Sequence, residues 1–428
     1  MNSQPVAERG AGGAGTLFAP NPDASALSAE QMQSQVDNAA NFNMFSRPDP
    51  GVSDPAIVMP SDPAKIIGMN VHEALHRLSV ITRPASAGKP LTARNIIGEQ
   101  VGAFRHRWLF APYDFVGTMG REPPPTPFDS SIAQRFVMLG SVCKFGYGDD
   151  GFRGFGTGQT MPTMSPSGRP RLYAVAIGTI VEGFGKFKGH EEGTYVYCGS
   201  VSPRGGFVGN IMLRVMDRDS VFRSDVDLPE PEATLENPEP DVVYILLRGQ
   251  AVPSDKVTPT QTGLVVEQGL RLYDLDLNIH GRRGIETTGS VGTFIGKITA
   301  NINFNPAYPG GGPLTPIPFT NHDDFVFTDD TGCKVGRFTA ESSEGRVFLT
   351  QLAGQRSIRF GGVGRVLSGN GPFEGIRGLM TDNSVVVFAP HVSASVYVLR
   401  IDDPDCKFHC ERSGPGCPPF PGRVTSQL

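Results

Sequence analysis

The sequence predicts a mainly β protein, with two similar β-domains, sandwiches or closed barrels, behind an N-terminal extension that contains short helices. Three observations carry this. Glycine (53) and proline (37) are abundant and spread without a fixed short period, as in a chain of many tight turns. From about residue 132, runs rich in Val, Ile, Phe and Thr alternate with Gly, Pro, Ser or Asp punctuation, the pattern of short strands. Finally, residues 176–203 resemble residues 360–390 within the same chain.

Taken in order, residues 1–60 are poor in large apolar side chains and read as a flexible extension. It holds one short helix in "SAEQMQSQVDNAANF", where Ser28 caps and Gln31 reaches back to complete a capping box. Residues 61–131 read as a helix and a connecting segment. Ser61 or Asp62 suits the N-cap, Pro63 the first turn, and Ile67, Val71, Leu75 and Leu78 recur at helical spacing, with Pro84 as a stop. Strand-like runs over 132–260 form the first barrel, interrupted by the acidic, proline-rich loop "DLPEPEATLENPEPD". A second series over 261–402 forms the second barrel, and 403–428 is a tail.

The internal repeat has a physical core. Each copy runs from an apolar strand into a Gly-x-Gly turn with a Phe and a further Gly: Gly183, Gly185, Phe187, Lys188 and Gly189, then Gly369, Gly371, Phe373, Glu374 and Gly375. The glycines permit a sharp turn with positive φ, and the Phe anchors it in the core. Two copies imply two related β-domains.

The second copy, "GGVGRVLSGNGPFEGIRGLM", resembles the G-G-x-G-x-F-E-G-A-x-G segment of plant allene oxide cyclases and the G-T-G-x-F-x-x-A-x-G segment of dirigent proteins. "DDFVFTDDTGCKVGRFTAES" resembles the cyclase segment in which a strand passes through an acidic turn into a K-x-x-G strand. The resemblance covers 290–402 well and 132–218 loosely, and rests mostly on structural glycines. It implies eight-stranded antiparallel barrels with an apolar lumen able to hold one small ligand. It also implies a cofactor-independent isomerase or cyclase that folds a hydrophobic or aromatic intermediate of secondary metabolism by shape and exclusion of water.

On this resemblance Asp324 falls near a position where the cyclases have an Asn before the K-x-x-G strand, and it becomes the catalytic candidate of the second barrel. The family's first-strand glutamate has two candidate counterparts, Asp274 and Asp276. Glu182, ending an otherwise apolar strand, is the candidate of the first barrel, with Arg135 on a neighbouring strand as a buried partner. Tyr195 and Tyr197 alternate with Cys198 on one strand, so one face enters a lumen. With Arg135, and with Glu374 and Arg377 at the second turn, they complete the candidate binding residues.

Other patterns point elsewhere. His72, Glu73 and His76 spell H-E-x-x-H, the zinc-hydrolase signature, and Glu99 lies at a workable distance for a third ligand. Arg77 directly after the second His and the turn to β-structure soon afterwards argue against it, so a helix packed on a barrel is expected and no metal. Cys406, His409, Cys410 and Cys417 lack a standard knuckle spacing and read as a free or partly oxidised tail. Gly154, Gly156 and Gly158 lack the strand–helix context of a phosphate loop and read as a turn or bulge.

Net charge of −5 without a basic stripe argues against a nucleic-acid partner. No run of 18 apolar residues suggests a membrane helix, and no apolar leader opens the chain. A cytoplasmic protein with a hydrophobic small-molecule substrate is expected, without cofactor. Homo-oligomerisation stays open; a non-catalytic binding or scaffolding protein is one alternative, and a zinc-dependent hydrolase using His72 and His76 is the other.

Overall fold

The computed structural model describes residues 27–52, 57–58, 67–84, 91–110, 134–146, 148–164, 170–190, 192–201, 207–224, 232–279, 284–305, 307–308, 310–312 and 314–409. They form one α-helix, α1 (Ala29–Asp37), and eighteen strands. The strands are β1 (Ala39–Pro48), β2 (Ile57–Val58), β3 (Ile67–Pro84), β4 (Leu91–Phe110), β5 (Gln134–Phe145), β6 (Gly151–Met164), β7 (Pro170–Phe184), β8 (Thr194–Val201) and β9 (Phe207–Met216). They continue as β10 (Val242–Gln250), β11 (Val257–Pro259), β12 (Gly263–Ile279), β13 (Ile285–Phe304), β14 (Ile317–Thr328), β15 (Lys334–Leu352), β16 (Gln355–Asn370), β17 (Gly378–Phe388) and β18 (His391–Asp402). The protein is mainly β, and its strand ladders are antiparallel within one hydrogen-bonded sheet.

Pairing follows sequence order from β3 to β9, and β1 then pairs with both β9 and β3. It follows sequence order again from β12 to β18, and β10 pairs with both β18 and β12. Each set of eight long strands therefore forms a cycle of neighbours. The two sets meet in a single bridge, Leu275 to Val80.

The capping box is present: the Ser28 side chain accepts from the Gln31 N–H, and the Gln31 side chain accepts from the Ser28 N–H. The helix ends at Asp37, however, and the residues after Asn38 are strand. Residues 39–48, read as part of the extension, are β1, buried on both faces along most of their length. The helix expected after residue 61 is also corrected. The chain is strand β3, and Val71 and Leu75 face one core while Leu78 and Val80 face another. Odd-numbered Val71 and Leu75 and even-numbered Leu78 and Val80 lie on opposite faces of one alternating strand, so burial on both faces imitates helical spacing; the register shifts near His76 place their extra residues on β4. The boundaries move accordingly. The first cycle begins at residue 39 rather than 132, and β10, read with the first barrel, pairs in the second cycle.

The repeated turn is matched atom for atom. β7 and β16 each run into a 3-10 turn, Gly185–Phe187 and Gly371–Phe373. Gly185 and Gly371 have φ of 61° and 60°, and Phe187 and Phe373 are buried. The correspondence extends past the quoted repeat. The Asp217 carboxylate accepts the N–H groups of Val221 and Phe222, as Asp403 accepts those of Lys407 and Phe408. Ser220 and Cys406 both hold positive φ, 54° and 55°. Gly185 and Gly371, Asp217 and Asp403, and Phe222 and Phe408 are each 186 positions apart.

These exit loops cross between the cycles. The Phe222 carbonyl accepts from Thr287 N–H on β13, and the Phe408 carbonyl accepts from Ala93 N–H on β4. Arginines 186 apart do the same: Arg214 on β9 donates to the carbonyls of Asn383 and Ala394, and Arg400 on β18 donates to Ser200 and Glu239.

Gly371→Val should destabilise the protein by about 1–3 kcal/mol, because a β-branched residue at φ of 60° is strained. A Cβ there also sits 3.0 Å from the Val335 carbonyl oxygen. Urea unfolding measures this, and an unchanged midpoint would show that the turn tolerates a side chain.

Candidate functional site

The interior of the first cycle is an aromatic box. Phe104, Trp108, Phe136, Phe152, Tyr195 and Tyr197 are all buried in it. Trp108 stacks on Phe136 with ring centroids 4.5 Å apart, and Tyr197 on Phe207 at 3.6 Å. Glycines make the room. A Cβ on Gly178 would lie 2.1 Å from the Tyr195 ring, and one on Gly158 would lie 2.5 Å from Phe136. The three glycines read as a turn or bulge lie along strand β6, with a register shift at Arg153–Gly154, and the aromatic rings fill their space.

One carboxyl enters this box. Glu73 lies between Val71 and Leu75 on the inward face of β3 and has no solvent exposure. The Tyr197 hydroxyl donates a short hydrogen bond to its Oε1. His106 Nε2 is 3.9 Å from its Oε2. Burial pushes the Glu73 carboxyl up to about 8, although the Tyr197 and Ser46 hydroxyls pull it the other way. Burial, reinforced by His72, holds the His106 imidazole down to about 3. Near neutral pH the proton therefore sits on Glu73 and His106 is neutral. The result is an uncharged acid beside an uncharged base in a dry, aromatic setting.

The site is polar in excess of its internal partners. Glu73 Oε2, both His106 ring nitrogens and the Trp108 indole N–H have no hydrogen-bond partner among the described residues. Buried polar atoms of native proteins are normally satisfied, and these four are exceptions within one interior.

The sequence candidates fall elsewhere, apart from the tyrosines. Tyr195 and Tyr197 face this interior, and Cys198 faces the opposite core, as the alternation predicts. Glu182 does not enter it: its side chain is 57% exposed and pairs with exposed Arg153 at 2.8 Å. Arg135 is not its partner and lies 3.8 Å from Glu344 instead. Asp324 alternates outward on β14, between buried Asp323 and Phe325, and pairs with Arg337 at 2.5 Å. Glu374 and Arg377 line an open surface depression of about 250 Å³ beside the second turn. Asp274 and Asp276 take up Arg83 and Arg77 across the β12–β3 contact.

The H-E-x-x-H string does contain the buried carboxyl of this interior, in a different setting. On a strand, Glu73 and the two histidines point to opposite faces. His76 is occupied by structure, with Nδ1 against the Gly98 carbonyl at 3.1 Å and Nε2 accepting from Arg47. Glu99 faces Arg77 at 3.9 Å. The paired-imidazole arrangement that a helix would give is not formed. The signal for Glu73 was an acid at the centre of the apolar alternation Val71-x-Glu73-x-Leu75, legible only once the segment is read with period two.

Cys410 and Cys417 lie outside the described residues. Cys406 is disulfide-bonded, and the Asp403 carboxylate engages His409 at 2.9 Å. No helix among the described residues is long and apolar enough to cross a membrane. No protein-family model matches the chain, and no curated protein matches it in sequence.

Glu73 should make stability depend on pH. Its folded value, about 8, lies above its ordinary 4.5, so the native state holds the extra proton between these limits. Stability is full below that window and falls as pH rises through it, by up to about 1.4 kcal/mol per pH unit. His106 has the opposite sign between about 3 and 6.5, being neutral when folded. Glu73→Gln removes the first slope alone. The unfolding free energy of wild type relative to that variant should drop by roughly 2 kcal/mol between pH 6 and 8. A difference that stays constant across this range would mean that Glu73 is not held protonated.

Proposed function

We propose that the protein is a cofactor-independent isomerase or cyclase that acts on a hydrophobic or aromatic small molecule inside the first strand cycle. The carrying observation is Glu73: a fully buried carboxyl, protonated near neutral pH, bonded to Tyr197 and with one oxygen unpartnered. A positioned acid of this kind contributes about 10²–10⁴-fold in rate. In this reading Glu73 donates a proton to the intermediate, neutral His106 takes one up, and Tyr197 holds the carboxyl in place. Tyr195 and the surrounding aromatic rings supply the surface against which the substrate folds, away from water.

The architecture proposed with it is a pair of allene-oxide-cyclase-like barrels descended by duplication. The two cyclic sets of pairings, the matched turns and the matched exit loops support this. The cysteine usage first suggested a cytoplasmic protein. The disulfide at Cys406 weighs toward an oxidising compartment.

One observation favours a second reading. The rings of the first interior pack at core distances, Tyr197 and Phe207 at 3.6 Å among them. A solid interior belongs to a non-catalytic scaffold, with Glu73 as a structural hydrogen-bond acceptor.

Native mass spectrometry of the purified protein, followed by turnover assays on any small molecule it carries, separates the two. Glu73→Gln should lower turnover about 100-fold or more while remaining folded. Glu182→Ala and Asp324→Ala should leave turnover unchanged, as should EDTA. Full turnover in Glu73→Gln would sink the proposal. Loss on EDTA treatment, restored by zinc, would return a metal to the mechanism.

A further inference from the structure

The second cycle has an interior of different chemistry. Four adjacent strands place same-face residues side by side: Asn321 on β14 opposite Ser342 on β15, Ser342 beside Gly362 on β16, and Gly362 opposite Asp382 on β17. Asn321, Ser342 and Asp382 are buried. Asp323, two residues along β14 from Asn321, faces the same interior and has no solvent exposure. Gly362 lets the Ser342 side chain and the Phe319 ring close over β16 beside Asp382. A Cβ there would stand 2.9 Å from the Ser342 hydroxyl.

The layer is short of donors. The Asn321 amide donates to both Asp323 oxygens, and the Ser384 hydroxyl donates to Asp382 Oδ1. This leaves Asp382 Oδ2, Asn321 Oδ1 and Ser342 Oγ without partners among the described residues. Each can accept a hydrogen bond, and the Asn321 amide N–H groups are already committed to Asp323. Aromatic rings bound the layer. Phe325 packs edge-on to Tyr397 on one side, and Phe319 edge-on to Phe360 on the other.

Two carboxyls and three orphaned acceptors between aromatic rings call for a compact group with one positive charge and several N–H donors. An ammonium head carries three donors and no acceptor, and its charge is favoured by ring faces. We propose that the interior of the second cycle binds a small organic ammonium ion, held by Asp323 and Asp382 with Asn321 and Ser342. Without it both carboxyls are shifted toward their protonated forms. Burial raises both, Asp382 to about 7, with the Ser384 hydrogen bond and the Arg214 charge opposing the shift at Asp382, and Asp382 adds to the rise at Asp323. This site is independent of the first interior and of the chemistry proposed there.

The test uses the full chain with n-butylammonium and benzylammonium chloride, followed by saturation-transfer NMR and thermal shift. Benzyl alcohol is the uncharged control, and calcium and magnesium chloride are the metal arms. The ammonium ions should bind and raise Tm, and benzyl alcohol should not. Asp382→Asn should weaken binding about tenfold or more, as expected for loss of a charged hydrogen bond, and Glu73→Gln should leave it unchanged. Infrared difference spectra of the wild type should show carboxylic acid converting to carboxylate on binding, a readout that needs no variant. Equal binding of benzyl alcohol, stabilisation by the metals in place of the amines, no binding at all, or loss of binding in Glu73→Gln but not Asp382→Asn would each overturn the proposal.

Discussion

The exchange of two buried arginines between the strand cycles is the interaction on which the rest of the structure depends. Arg400 is fully buried, with Glu239 at 2.5 Å, Ser200 at 2.9 Å and the Tyr173 ring 5.2 Å from its guanidinium carbon. Arg214 reaches the other way, to two carbonyls of the second cycle and to the Val36 carbonyl at the end of α1. Burying a guanidinium costs several kcal/mol unless its donors are met. Here the bonds that are made, from both terminal nitrogens of Arg214 and from Nη2 of Arg400, go to the opposite cycle or to segments leading into a cycle, while both Nε atoms and Arg400 Nη1 have no hydrogen-bond partner among the described residues. Neither half can make those bonds alone, so the two fold as one body.

That coupling explains why so few strands show clean alternation. β1, β8, β10 and β17 are buried on both faces, one toward an interior and one toward the other cycle. Strands of that kind read as continuous apolar runs. β14 is at the periphery and keeps the period of two through Ile317, Phe319, Asn321, Asp323, Phe325 and Phe327. The Gly-x-Gly turns survive in the sequence because positive φ leaves only one good residue choice. The matched exit loops are harder to see. Asp217 and Asp403 act through backbone N–H groups, which any intervening residues supply.

The fold class and the repeated turn were therefore legible, while the strand cycles and the candidate site were not. β3 failed because it is buried on both faces, so odd-numbered Val71 and Leu75 and even-numbered Leu78 read together as an apparent helical stripe. β1 failed because Asn41 and Asn43 make it look polar. Those amides are buried, and they hydrogen-bond to Tyr273 and the Leu78 carbonyl. Asp324 was singled out over Asp323 because the resemblance aligned a turn, and a turn does not fix which of two neighbours points inward. A one-residue uncertainty in register exchanges the faces of a strand completely.

The faces between the cycles are constrained from both sides, by packing and by the arginine exchange. The interiors carry no such mutual constraint, and there the two halves differ most. One interior presents an acid, an indole N–H and an imidazole among stacked rings, and its proton stays on Glu73. The other presents two aspartates and an excess of acceptors. Both exploit the same physics: a carboxyl taken out of water keeps its proton until something inside compensates its charge. In the first interior no cation is at hand, so Glu73 is held as a neutral acid able to give a proton to a bound molecule. In the second, two such acids are close enough to oppose each other's ionisation, so a cation that entered would bind and release protons at once. Closure of the strands makes both possible, because in an open sheet water would reach these groups and return each to its ordinary value.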